Sequence, residues 1–218
     1  MITSANFFEP RKCLREPIPE IAEAAALLSQ AVDAHLAGLA RNAEQLIVAA
    51  DIGAVRNWTT SLMASPSASA DSPNYQRVRV VADAPRVLAK ADRVPARMPT
   101  VSERAQILER DGYHCVFCHT PVIEPEIRKR LTHLYPATAR WGSTWDDCHA
   151  ALLCLWLQFD HVLPHARGGT NNIENVVITC AGCNYGRMSK TLDEVGLLDP
   201  RDRPRLVSDW NGLARLLA

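Results

Sequence analysis

Two Cys-x-x-Cys pairs constrain this chain more than any other feature: Cys115 and Cys118 in "HCVFC", and Cys180 and Cys183 in "TCAGC". Two residues between thiolates let one tight turn aim both sulfurs at one ion, and two such turns complete a closed tetrahedral zinc site. Redox-active or merely buried cysteine is the competing reading. Cys13, Cys148 and Cys154 bring the total to seven. An odd count argues against a disulfide framework. So does the N-terminus, "MITSANFFEPRKCLREP", which places charges and a proline where a signal peptide would be greasy. Free cysteine behaves as a small hydrophobe, so the three remaining cysteines are expected to pack.

The 218-residue chain is 47% hydrophobic and 22% charged, which suits a globular protein with a real core, as one domain with an extension or as two small domains. No apolar run approaches the roughly 20 residues of a membrane span, and a cytoplasmic protein is the default expectation. Formal net charge is zero, so the whole molecule offers no electrostatic pull on nucleic acid. Locally, Arg77, Arg79, Arg86, Lys90, Arg93 and Arg97 outnumber Asp83 and Asp92. Such a strip is either solvated surface or a phosphate-binding face. Arg128, Lys129 and Arg130 form a second small cluster with the same two readings.

Residues 1–97 read as an N-terminal helical region, and 98–218 as a second unit with a helical insertion over 121–157 and a C-terminal tail. Ile21, Ala25, Leu28, Val32, Leu36, Leu39, Ala43, Leu46 and Ala50 recur every three or four positions, an apolar helical stripe that Gly38 is placed to divide. Such a stripe needs cover from a helical hairpin or from a partner chain, and a homodimer through these helices is one expectation. A short helix from Ile52 to Met63 carries Trp58. "ASPSASADSPN" (64–74) has the composition of a flexible loop, and "YQRVRVVADAP" (75–85) reads as extended. In the second unit Ser102 is expected to cap a helix that ends near Asp111-Gly112. The insertion predicts two helices, Glu126 to Tyr135 and Thr144 to Leu157, with Trp141, Trp145 and Trp156 packing it. "LQFDHVLP" and "NVVITC" read as strands, "CNYGRMSKTLDEVG" as a helix ending by Gly196, and Trp210–Leu217 as a short terminal helix.

The stretch "FDHVLPHARGGTNNIENVVITCAGCN" (159–184) mixes residues that no ordinary core segment needs. Asp160 is a hard oxygen ligand, and Asn184 is a second oxygen donor at the start of the helix that the zinc site staples to the strands. Two oxygen ligands plus water suit Mg²⁺ or Mn²⁺, which complete their shell with phosphate oxygens. A neutral imidazole at His161 can take a proton from water attacking phosphorus, while the metal stabilises charge on the phosphate and the leaving oxygen. Strand alternation sends His161 and Asp160 to opposite sides unless the strand twists or ends there. Each residue also has a plainer reading: a surface Asp-His pair, and an Asn that caps its helix.

Together "RDGYHCVFC" (110–118), "FDHVLPHARGG" (159–169), "NNIENVVITC" (171–180) and "CAGCN" (180–184) resemble the zinc-containing branch of the HNH endonuclease superfamily, whose active site is the ββα-metal fold. The resemblance implies an α+β chain in which His161 is the general base, Asp160 and Asn184 bind a catalytic divalent ion, and Asn175 supports the loop through its backbone. It also implies the Gly168-Gly169 turn, structural zinc on the four knuckle cysteines, and a nucleic-acid substrate, most readily DNA. His165, Arg167, Arg187 and Lys190 are placed to meet phosphate, or are solvated charge and loop. The likeness covers residues 102–190 and leaves 1–97 unassigned. The insertion before Asp160 is longer than in compact family members, and His119 stands where glycine is common. A zinc-knuckle nucleic-acid-binding or regulatory module without catalysis is the alternative, and phage defence is one role such a nuclease takes.

Overall fold

The structure, a computed structural model, describes residues 9–63, 78–95 and 98–218. The loop expected over 64–74 therefore lies outside the described residues. Helices α1 (Pro19–Leu36) and α2 (Ala40–Ala50) form a hairpin whose turn contains Gly38 at φ +78°. Ile21, Ala24, Ala25, Leu28, Ala31 and Val32 of α1 and Ala43, Ile47 and Ala50 of α2 are buried. The stripe is thus covered within the chain. It breaks at Leu36 and Leu39, both more than half exposed, because the turn between the helices ends the helical phase there. Helix α3 (Gly53–Leu62) follows, with Trp58 donating its indole N–H to the Glu16 carbonyl at 2.9 Å.

Of the stretch read as extended, residues 78–85 pair in no strand and 75–77 lie outside the described residues; the segment 78–95 holds one 3-10 turn at Lys90–Asp92. Helix α4 (Val101–Asp111) is capped by Thr100 rather than Ser102. The Thr100 hydroxyl accepts from the Glu103 N–H at 3.3 Å, and the Glu103 carboxylate accepts from the Thr100 N–H at 2.7 Å, a closed capping box. Helix α5 (Pro125–Leu134) matches the first insertion helix. The second is much shorter than expected: α6 spans Ala150–Cys154. Before it, Thr144 donates to Asp147 at 2.7 Å in a turn, and the His149 side chain accepts from the Leu152 N–H. Beyond it, Leu157 already belongs to a strand. Trp141 and Trp156 pack edge to face at 5.2 Å, with the Arg128 guanidinium 3.7 Å above the Trp141 ring.

Strands β1 (Leu157–His161) and β2 (Val176–Cys180) pair antiparallel, from Leu157 opposite Cys180 to His161 opposite Val176. Helix α7 (Ala181–Arg187) starts directly from β2. The single helix expected to reach Gly196 is interrupted at Met188 (φ +55°), and α8 (Leu192–Val195) starts afresh from a Thr191–Glu194 capping box. The terminal helix is reduced to a 3-10 turn, Ala214–Leu217. The described residues therefore form a mixed helical protein around one small two-stranded sheet, within the α+β class. Among the described residues one large cluster of buried apolar side chains runs from Cys13 to Leu216, and a smaller one holds Met63, Cys148, Leu153 and Ala181; through the large one the N-terminal helices and the cysteine-bearing half share a core. The backbones approach closely where α3 meets α7. A Cβ on Gly186 would lie 2.8 Å from the Leu62 carbonyl oxygen, a distance that admits only glycine without backbone movement. Among the described residues no helix is long and apolar enough to cross a membrane.

Candidate active site and zinc centre

The two knuckles meet on β2. Cys115 and Cys118 follow α4 in a turn that reaches His119 at φ +60°, and Cys180 and Cys183 straddle the junction of β2 and α7. The Val116 N–H donates to the Ile178 carbonyl at 3.0 Å, which lays the first knuckle on the strand. The four sulfurs lie within 4.8 Å of one another, with Cys118 and Cys180 Sγ 3.7 Å apart. Tetrahedral Zn–S bonds of about 2.3 Å place sulfurs about 3.8 Å apart, so this buried cluster fits a metal such as zinc. Hydrogen bonds to Cys115, then to Cys118, push the Cys180 and Cys183 thiols well up from the ordinary value. Cys115, Cys118, Cys180 and Cys183 would hold a cation as four thiolates, and its positive charge would offset their mutual opposition.

The other cysteines are free and buried, and burial pushes the Cys13 and Cys154 thiols up to about 12. His149 Nε2 donates to the Ile47 carbonyl at 2.8 Å.

Strand β1 ends at His161, which settles the alternation question: Asp160 and His161 line the same cavity of about 580 Å³, together with His165 and Asn184. The connecting loop is pinned by Asn175. Its Oδ1 accepts from the Leu163 N–H at 2.8 Å, and its Nδ2 donates to the Leu163 and Thr170 carbonyls at 3.2 and 2.8 Å. Gly169 permits the close approach, since a Cβ there would sit 1.8 Å from the Leu163 carbonyl oxygen.

His161 Nε2 lies 2.8 Å from Asn171 Oδ1. An amide oxygen only accepts, so Nε2 carries the hydrogen and Nδ1 keeps a lone pair in the neutral ring. Burial lowers the His161 pKa from its ordinary value, against the opposing effect of the Asn171 bond and the Asp160 charge. The His165 ring lies 5.6 Å from that of His161, and its Nε2 donates to the Val94 carbonyl at 2.8 Å.

Asp160 is buried and bound on both oxygens by Arg187, Nη2 to Oδ1 at 2.6 Å and Nε to Oδ2 at 3.1 Å. Burial pushes its carboxyl up, and the guanidinium opposes that shift. Each carboxylate oxygen retains a further lone pair. Asn184 Nδ2 donates to Gln158 Oε1 at 3.2 Å, while its Oδ1 accepts no hydrogen bond among the described residues. A carboxylate oxygen and an amide oxygen on one wet cavity suit a hard divalent ion.

The family model described as HNH endonuclease matches residues 155–195, which hold β1, β2, α7, the second knuckle and Asp160, His161, Asn175 and Asn184. This stretch is similar to HNH endonuclease domains. No curated protein and no solved structure matches the chain. An HNH domain implies nuclease chemistry on a nucleic-acid substrate. Cys115 and Cys118 lie before the matched stretch and reach the HNH domain only through the sulfur cluster and β2.

Two expected phosphate contacts in the HNH domain turn inward. Arg187 is 1% exposed and, besides Asp160, donates to the Val162, Lys190 and His161 carbonyls. Arg167 donates to Ser189 O at 2.5 Å, to Glu194 Oε1 at 2.8 Å and to Pro85 O, so it splints the loop. From sequence both read either as phosphate contacts or as solvated charge. Neither has a guanidinium free to leave its partners, because buried donors without acceptors are costly. Lys190 is half-buried, and burial lowers its pKa. Asn171 and Gln158, which orient His161 and Asn184, were missed. Asn171 is one of two adjacent asparagines in "TNNIEN", and nothing in the sequence tells them apart. The cavity is completed from outside the HNH domain by Lys90, Arg93, Val94 and Pro95.

Proposed function

We propose that the protein is a metal-dependent endonuclease that hydrolyses phosphodiester bonds, most readily in DNA, on a ββα-metal core with structural zinc at Cys115, Cys118, Cys180 and Cys183. The reading is carried by one observation: Asp160, His161 and Asn184 line one cavity inside an HNH domain, on a strand end and a helix that the four-sulfur cluster holds together. Asp160 and Asn184 would hold Mg²⁺ or Mn²⁺, which when bound supplies positive charge to the phosphate and the leaving oxygen.

His161 Nδ1 takes the proton as a water oxygen bonds to phosphorus and the bond from phosphorus to the departing oxygen breaks. Asn171 fixes the tautomer that leaves Nδ1 unprotonated, and burial keeps the ring neutral. Arg187 orients the Asp160 carboxylate, and Asn175 holds the loop that ends the strand at the right residue. A cytoplasmic setting and a role in phage defence belong to the same proposal. A homodimer would use the exposed Leu36, Leu39 and Val48 rather than the covered stripe.

One feature favours a binding module without catalysis: the Asp160 charge is already compensated by Arg187. Incubating the purified protein with plasmid DNA and with RNA, in Mg²⁺, in Mn²⁺ and after removal of free divalent ions, separates the two. Metal-dependent nicking or cutting is expected. Tight binding of either nucleic acid with no cutting in any metal would establish the module instead.

A further inference from the structure

One wall of the cavity lies outside the HNH domain. Residues 78–95 run over the loop after β1: the Leu88 N–H donates to Ala166 O at 2.8 Å, His165 reaches Val94 O at 2.8 Å, and Arg167 reaches Pro85 O. The Arg79 N–H anchors the same segment to Glu194 O at 2.9 Å. This lacing brings Lys90 and Arg93 to the cavity that holds Asp160, His161 and Asn184. Arg93 donates Nε and Nη2 to the Leu88 carbonyl at 3.1 and 3.0 Å, which fixes the guanidinium plane and leaves Nη1 unengaged. Lys90 is exposed. Among the described residues neither cation pairs with a carboxylate. Asp160, the acidic residue lining the cavity, is compensated by Arg187. The mouth therefore carries two uncompensated cations, in a protein whose net charge is zero. That local field suits a polyanion.

We propose that Lys90 and Arg93 grip the backbone phosphates of the strand being cut, so that the segment before the HNH domain forms part of the substrate site. The proposal rests on the nuclease reading of the cavity. Arg93 offers the Nη1 donors of an already oriented guanidinium, and Lys90 a mobile point charge, both suited to phosphate and neither to base identity. Such contacts strengthen binding on every sequence and make it salt-dependent.

Binding of a fluorescein-labelled DNA duplex, followed by anisotropy across a salt series, tests this in the full-length zinc-loaded chain carrying His161→Ala so that the strand survives. Lys90→Ala and Arg93→Ala should each weaken binding several-fold and reduce the slope of log K against log salt by about one. Arg93→Lys should recover most of the slope. Arg41→Ala, exposed on α2 and outside the cavity, should do neither. With His161 restored, KM should rise more than kcat falls in Lys90→Ala/Arg93→Ala. Wild-type affinity and slope in that double variant, or losses no larger than in the α2 control, would overturn the grip. Cutting by the wild type with an unchanged KM in the double variant would overturn it while leaving the nuclease reading intact. Binding that depends on both cations in a protein that cuts nothing would support the grip and remove the nuclease.

Discussion

At Arg187 the site is held by a side chain that solvent does not reach. Its guanidinium answers the Asp160 carboxylate and three backbone carbonyls, so the two charges form a unit whose halves depend on each other. Removing one partner of a buried ion pair strands the other. Arg187→Met should therefore lower the unfolding free energy by about 3–5 kcal/mol in urea titrations, and Asp160→Asn added to it should return part of that loss. Equal stability of Arg187→Met and wild type would refute the pairing. The residue illustrates why charge is hard to read from a sequence: a buried arginine and a phosphate-binding one look identical until the partner's position is known. Cysteines are different, since ligand spacing alone announced the four-sulfur cluster. That Asp160, His161 and Asn184 share one cavity was legible from their order relative to the knuckles, while their roles belong to the proposal. Asn171 was not legible, because its role depends on which way a loop turns.

Among the elements, β1, β2 and the knuckles followed the sequence because β-branched runs and paired cysteines act locally. Ends of helices did not, because two polar residues near a boundary compete to cap it. Thr100 and Ser102 make the contrast measurable. Thr100→Ala should cost about 1 kcal/mol through loss of the capping box, whereas Ser102→Ala, already inside α4, should change stability by less than about 0.5 kcal/mol. Thermal unfolding of the two variants decides it, and a larger loss in Ser102→Ala would return the cap to that residue. The insertion was misjudged for a related reason. Thr144, Asp147 and His149 use their side chains to hold a turn and start a helix, so the alanine- and leucine-rich run forms just α6 before the chain enters β1.

The whole molecule is braced across its length, since α3 lies against the helix that carries Asn184. A charged brace joins the N-terminal helices to the insertion. Asp51 accepts from Arg56 at 2.8 Å, from the Ala150 N–H at 2.7 Å and from Arg140 at 2.7 Å. Burial pushes the Asp51 carboxyl up, but the Ala150 N–H, His149 and Arg140 together outweigh it and hold the pKa below the ordinary value. A depressed folded pKa contributes stability that is present above the unfolded value, about 3.9, and is lost as pH falls through the folded one. Asp51→Asn should therefore be less stable than wild type at neutral pH and show a shallower loss below about pH 4 in urea titrations. Parallel acid limbs in the two proteins would exclude the brace. Nothing local in the sequence marks this contact, because its members are separated by roughly a hundred residues.

The account stands or falls on proton removal at one imidazole. Single-turnover cutting of a labelled duplex in Mn²⁺ by wild type and by His161→Ala, at matched zinc content and matched circular dichroism, measures it directly. A rate loss of about a hundredfold or more in the variant is the predicted result. Equal rates in two equally folded, equally zinc-loaded proteins would contradict it.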